Sequence, residues 1–321
     1  MIPIASTKDM SYEKWLEYRR LGVGGSDASV VCGVNKYKSP IELWQEKTGQ
    51  ISGQEAGEAA HWGKMLEPIV RAEFTKRTGI EVIPVNQILR SREYPYMIAN
   101  LDGVCRHPTY GKCVFEAKTA NAFKAGEWEN DAVPYEYVLQ VQHYMAVTGY
   151  AGACVAVLIG GNKFEWRFVE RDEEIISMLI RYEADFWRHV EDDVPPPPDG
   201  SDACAKFLGQ RFSNSVPQSR IELPDSAAVL IHQYNEACEG LEQLTEQKQK
   251  AANLLKAMLG ENETGTVGDS VITWKSVSQE RFDGKLFESE QSDIHKQYMR
   301  KTTHRRFLVK EAQTVQEAIA A

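Results

Sequence analysis

The chain has 321 residues, 42% hydrophobic and 26% charged, with a formal net charge of −9. This is the composition of a soluble globular protein with room for one large or two modest domains, and an acidic body of this kind is not a naked nucleic-acid-binding surface. No apolar run approaches the roughly 18–20 residues of a bilayer span, and the N-terminus lacks the basic-then-apolar order of a secretory signal. The six cysteines are scattered with no C-x-x-C pair, which points to reduced thiols in a cytosol rather than a zinc knuckle or an iron–sulfur cluster.

In chain order, residues 9–20 predict a short amphipathic helix with Trp15 and Leu16 inward. A glycine-rich loop, "LGVGGSDASVVCG", then runs into a second short helix. "SPIELWQEKTG" is a third: Ser39 is a natural N-cap, Pro40 suits the first position, Glu42 completes a capping box and Gly49 stops it. Residues 61–78 predict a helix that begins in earnest near Glu67, with Pro68 in its first turn. Strand patterns follow at 81–85, 87–91, 96–101, 112–118, 153–159 and 164–170, with helices at 134–149 and 172–193 between and after them. The pattern predicts an α/β core, a mixed sheet flanked by helices.

"VPPPPDGSD" (194–202) is a stiff, extended break, giving a core over 1–193, a linker over 194–202 and a C-terminal region over 203–321. That region predicts a long helix over 225–259, about 50 Å at 1.5 Å per residue, a hairpin with a Gly-Asp turn, a helix near 283–300 and a short strand "RRFLVK". The polar stretch Gln247–Lys250 in the long helix argues against a continuous coiled coil. Residues 295–310 hold six Lys and Arg side chains and no Asp or Glu: a solvated surface, or a phosphate-tracking strip on an acidic body.

The stretch "NLDGVCRHPTYGKCVFEAKT" (100–119) carries the sharpest chemical pattern. Two neighbouring strands can bring Asp102 and Glu116 together, and two close carboxylates repel unless a cation lies between them. Hard oxygen ligands suit Mg²⁺ or Mn²⁺. Strand alternation puts Glu116 and Lys118 on one face, where a Lys beside a metal-bound water orients or deprotonates it, or stabilises charge on a phosphate. The motif alone is equally compatible with a hairpin with charged ends. Upstream, Gly22, Gly24 and Gly25 allow close backbone approach to a ligand, and Ser26-Asp27 reads as a helix start able to take an anion; a simple tight turn explains the same glycines. Trp44 and Trp62 read as core residues, His61 as solvated, and Gln142 as solvent-facing or packing.

Asp102 with Glu116-Ala117-Lys118 resembles the signature of the PD-(D/E)xK nucleases. The surrounding segments resemble their YqaJ/lambda-exonuclease branch, the phage-type recombination exonucleases. "EYRRLGVGGSDASVVCGVNKYKSPIELWQEKTG", "HWGKMLEP" and "YVLQVQHYMAVTG" resemble the branch's N-terminal, W-G-x-x-x-E and Q-x-Q-x-x-M motifs, in the family's order over about residues 12–190. One position departs: Leu101, not Pro, precedes Asp102.

The resemblance implies a restriction-endonuclease-like core. It implies Asp102, Glu116, the main-chain carbonyl of Ala117 and Glu67 as ligands to Mg²⁺ (or Mn²⁺), two ions in number. Lys118 would position or activate the attacking water and Gln140 would assist it, with Arg20 and Ser26 on a 5′-phosphate. It implies 5′-to-3′ degradation of linear double-stranded DNA to leave 3′ single-stranded tails, in a homo-trimer ring that works with a single-strand annealing protein, in a bacterial cytoplasm and of phage origin. Arg300, Lys301, Arg305 and Arg306 of the basic strip would line the DNA path. Two rivals are a structure-specific endonuclease on the same core and a non-enzymatic DNA-binding or annealing-protein-docking module.

Overall fold

The computed structural model describes residues 1–52, 57–300 and 304–310, in two compact units, Met1–Arg211 and Phe212–Ala321. The first unit opens with β1 (Ile2–Ser6), α1 (Tyr12–Arg19), α2 (Gly25–Val31), α3 (Pro40–Lys47) and α4 (Glu58–Thr78). Strands β2 (Val82–Ile83), β3 (Gln87–Arg90), β4 (Ile98–Asn100), β5 (Gly103–His107) and β6 (Gly111–Ala120) follow, then a 3-10 turn over Ala122–Trp128 and α5 (Tyr135–Thr148). β7 (Gly152–Ile159), β8 (Lys163–Glu170), α6 (Glu173–Glu191) and α7 (Asp202–Arg211) complete it.

The main sheet has five strands in the order β2-β5-β6-β7-β8, antiparallel except for the parallel pair β6–β7. A smaller antiparallel sheet has the order β1-β3-β4. The main sheet is covered on both faces, so β7 reads as the continuous apolar run "GACVAVLI" and is buried along nearly its whole length. On β6 the faces separate by alternation. Cys113 and Phe115 pack toward Val70 and Phe74 of α4, while Val114 packs toward Val141 and Met145 of α5. Glu116 and Lys118 share the face of Val114 and therefore look toward α5.

The structure corrects four sequence expectations. Helix α4 starts at Glu58, well before Glu67, and carries Pro68 in its interior. Pro68 is exposed, so the carbonyl it deprives of a partner is left to water, and the buried anchors Val70 and Phe74 hold the helix beyond it. Trp62 is not core: it is 55% exposed and its indole N–H donates to Glu58. The expected helix near 283–300 is two, α9 and α10 below, and 305–310 forms no strand. Trp44, by contrast, is buried, with its indole N–H donated to the His189 carbonyl at 2.9 Å.

The proline run lies within the first unit, because α7 beyond it packs on α3 with Ala203, Cys204 and Phe207 buried. The second unit holds α8 (Ala227–Leu259), the antiparallel hairpin β9 (Thr264–Val267) and β10 (Ser270–Thr273), α9 (Gly284–Glu290) and α10 (Ser292–Tyr298). The hairpin turns at Gly268, with φ 55°, as the Gly-Asp pair predicts. The second short helix restarts after Gln291, where Ser292 and Asp293 suit a new N-terminus.

Candidate active site

Four elements bring the sequence motif together. Asp102 leads into β5, and its Oδ2 accepts the Ala117 N–H of β6 at 2.9 Å. Glu116 and Lys118 project from β6, Gln140 from α5, and Glu67 from α4. Lys118 Nζ donates to Glu116 Oε1 at 2.7 Å and to Gln140 Oε1 at 2.8 Å. Gln140 Nε2 donates to Glu116 Oε1 at 2.7 Å and to the Tyr144 hydroxyl at 3.1 Å. Arg71 donates to Glu67 Oε1 and to the Asp102 carbonyl, tying α4 to the start of β5. The Lys118 ammonium also lies over the Tyr137 ring, 4.7 Å from its centre.

The electrostatics are those of an acid cluster short of positive charge. Burial, followed by the neighbouring Asp102, pushes Glu116 up to about 8 against the pull of Lys118. Burial and Asp102 likewise push Glu67 up to about 7, and burial raises Asp102 itself. Glu116 Oε2 is buried with no hydrogen-bond partner. Lys118 is driven the other way: burial favours its neutral amine, but Glu116 and Asp102 outweigh that and raise its pKa.

An orphaned carboxylate oxygen among mutually repelling acids is a donor set for a hard divalent cation. By chemistry the fitting oxygen donors here are Glu116, Asp102 and Glu67, whose carboxylates disfavour one another's ionisation. Among the described residues no group of three or more His, Cys, Asp or Glu side chains is placed to hold a metal ion, and Glu67 is engaged by Arg71.

Lys118 and Gln140 open into a cavity of about 240 Å³ whose other wall includes Ser26, Lys36, Tyr37 and Lys124. The structure puts Arg19, not Arg20, on Ser26. The Arg19 guanidinium donates to Ser26 Oγ at 3.1 Å and pairs with Asp27, whereas the Arg20 guanidinium lies beside Gly49. At the N-cap of α2 the Gly24 N–H is taken by Asp27 Oδ2 at 3.0 Å. Arg19 brings side-chain positive charge to Ser26. Asp27 organises it: buried, it also accepts from Lys47 Nζ at 2.7 Å. Burial opposes its ionisation, but Arg19 and Lys47 hold its carboxyl well below the usual range.

The close approach expected of the glycines is real, but it is to protein. A Cβ on Gly25 would stand 2.4 Å from the Tyr144 ring, and one on Gly22 would stand 2.5 Å from the Tyr96 carbonyl oxygen. Sequence reasoning missed Arg19, Asp27, Arg71, Tyr137 and Tyr144. All five are visible only once the helices are docked. Gln142 is a structural residue, donating to the Glu170 carbonyl and accepting from the Asp172 N–H, and His61 is exposed as expected. Arg305 donates to the Phe212 carbonyl at 3.0 Å within the second unit, Arg300 and Arg306 are exposed, and Lys301 lies outside the described residues.

Fold and site together define a mixed α/β protein with a buried, lysine-bearing acidic centre on its parallel strand pair. Residues 14–151, which contain that whole centre, match the model of the YqaJ-like viral recombinase domain. The chain is 39% identical to the uncharacterized protein YqaJ of Bacillus subtilis (strain 168) over 312 residues, covering 96% of this chain and 97% of that protein. It belongs to the YqaJ-like viral recombinase family. Solved structures similar to it include an alkaline exonuclease from Laribacter hongkongensis (22% identity, 63% of this chain and 98% of that one, TM-score 0.49). A phage related exonuclease from Haemophilus somnus 129PT is another (12% identity, 56% and 99%, TM-score 0.42).

Proposed function

We propose that the chain is a phage-type recombination exonuclease that hydrolyses linear double-stranded DNA from 5′-phosphorylated ends, 5′ to 3′, leaving 3′ single-stranded tails for annealing. The observation that carries this is the Lys118–Glu116–Gln140 cluster, with its orphaned carboxylate oxygen, whose Lys118 and Gln140 share one cavity with Ser26, the residue that Arg19 holds. Family membership supports a role in viral recombination.

Mg²⁺, in one or two ions, would supply Lewis-acid charge at the scissile phosphate when held by Asp102, Glu116, Glu67 and the Ala117 carbonyl. The chain's own residues do the rest. Lys118 is held protonated by its carboxylate neighbours, so it acts as a donor: two of its N–H groups bind Glu116 and Gln140, and the third is left for the attacking water or a phosphate oxygen. Gln140 fixes Glu116 and is itself fixed by Tyr144. Arg71 sets Glu67. Arg19 with Ser26 binds the terminal phosphate, and Lys36 and Lys124 of the same cavity offset charge along the strand. A homo-trimer ring, an annealing-protein partner and a cytoplasmic site of action belong to the same reading.

The test is incubation of linear and of closed circular duplex DNA with Mg²⁺ or with EDTA. Loss of the linear form alone, and only with Mg²⁺, is the expected result. Equal loss of circular DNA would replace the reading with an endonuclease.

A further inference from the structure

Helix α8 is unbroken over 33 residues, and Leu259 is its buried residue. Starting at Ala227, positions spaced alternately three and four residues apart are apolar as far as Met258, with the single exception of Lys248. This is the spacing of a coiled-coil seam. The polar stretch Gln247–Lys250 thus puts only one residue on the seam. The seam is open along the helix: Leu230 is 66% exposed, Leu241 65%, Leu244 63% and Met258 81%. Phe307 meets the Tyr234 ring edge-on and leaves that residue 43% exposed.

We propose that α8 pairs with α8 of a second copy of this chain as an antiparallel two-stranded coiled coil. The side-chain sizes carry the assignment. Place Leu241 of one helix against Leu244 of the other at a two-fold axis. Lys248 then faces Ala237, Tyr234 faces Ala251, Met258 faces Ala227 and Leu230 faces Leu255. Each alanine meets a long side chain, and the remaining layers are leucine on leucine, so every layer is filled to similar volume. A parallel pair would instead set alanine on alanine and Lys248 on Lys248, leaving gaps and a like-charge contact.

Charge agrees. Glu236, Glu239 and Glu242 lie in the N-terminal half of α8, and Lys248, Lys250 and Lys256, with the single acid Glu246, in the C-terminal half. Antiparallel pairing brings the acidic half of each helix beside the basic half of the other. The seam's flanking positions, among them Gln233, Cys238, Thr245 and Gln247, are uncharged and oppose neither partner. The inference is independent of the chemistry assigned to the first unit.

Two measurements on the full chain test it. The double variant Leu241→Glu/Leu244→Glu should halve the particle mass in light scattering, from six chains to three where the pairs join two rings of three and from two to one without a ring, with the thermal transition of the first unit retained. An unchanged mass would overturn the proposal, whether because another segment covers the seam or because nothing does. In a Cys238→Ser background, chains with Ala237→Cys and chains with Lys248→Cys should form an inter-chain disulfide only when mixed. Cross-linking of the Ala237→Cys chains with themselves, or none in the mixture, would overturn it.

Discussion

At the scale of single residues, the site makes sharp demands. Replacing Lys118 with Ala removes a charge bonded to two neighbours and should lower turnover of linear duplex DNA by at least 10²-fold with little change in DNA binding; full activity in single-turnover assays would sink the proposed mechanism. Arg19→Ala should abolish preference for 5′-phosphorylated over 5′-hydroxyl ends, and Arg20→Ala should keep it, in a competition of the two end types. The sequence could not decide between these adjacent arginines, because the choice depends on where α1 stops and on the Asp27 side chain that grips one of them. Asp102, Glu116 and Lys118 were legible because strand alternation is rigid enough to place side chains from spacing alone.

His143 yields a pH prediction. It is fully buried, its Nδ1 is 2.8 Å from Glu183 Oε1 and its Nε2 is 2.8 Å from the Ile98 carbonyl. Burial opposes the imidazolium, but Glu183 and the carbonyl raise its pKa above the ordinary value. A raised folded-state pKa contributes stability that is complete below the unfolded value of about 6.5 and is lost as pH rises through the folded value. Urea unfolding should therefore show the chain losing stability as pH rises above about 6.5, and His143→Gln should flatten that slope.

At the scale of elements, the helices were read well where caps announce them. Ser39 accepts the Glu42 N–H, which is the N-cap half of the predicted box. The sequence was opaque where elements are short or rest on distant support. β5 has five residues, two of them Arg106 and His107, and is a strand because β6 pairs with it. β1 is a strand because β3 does the same. The join between α2 and α5 is tight: Gly25→Ala must displace the Tyr144 ring and should cost about 1–3 kcal/mol, read as a lower urea midpoint. Because Tyr144 also holds Gln140, activity should fall beyond what the lost stability explains. In the second unit, Arg305→Glu with Arg306→Glu should weaken duplex DNA binding and shallow its salt dependence; unchanged binding would remove the basic strip from the DNA path.

At the scale of the whole molecule, the division at Arg211 predicts that residues 1–211 fold alone, giving one cooperative thermal transition by circular dichroism. Composition told that there was room for two units, but the boundary depended on α7 docking on α3, which the proline run concealed. The parallel pairing of β6 with β7 has a consequence of a different kind. Parallel neighbours need a crossover, and here the crossover is α5, which carries Gln140. During synthesis, β6 can pair with β5 as soon as it leaves the ribosome, yet the lysine, glutamate and glutamine cannot meet until β7 follows and draws α5 down onto the sheet. Such non-local closure is slow relative to local hairpin formation. The growing chain is therefore chemically silent over the first half of its length, and its reactive centre is assembled when β7 closes rather than ripening by degrees.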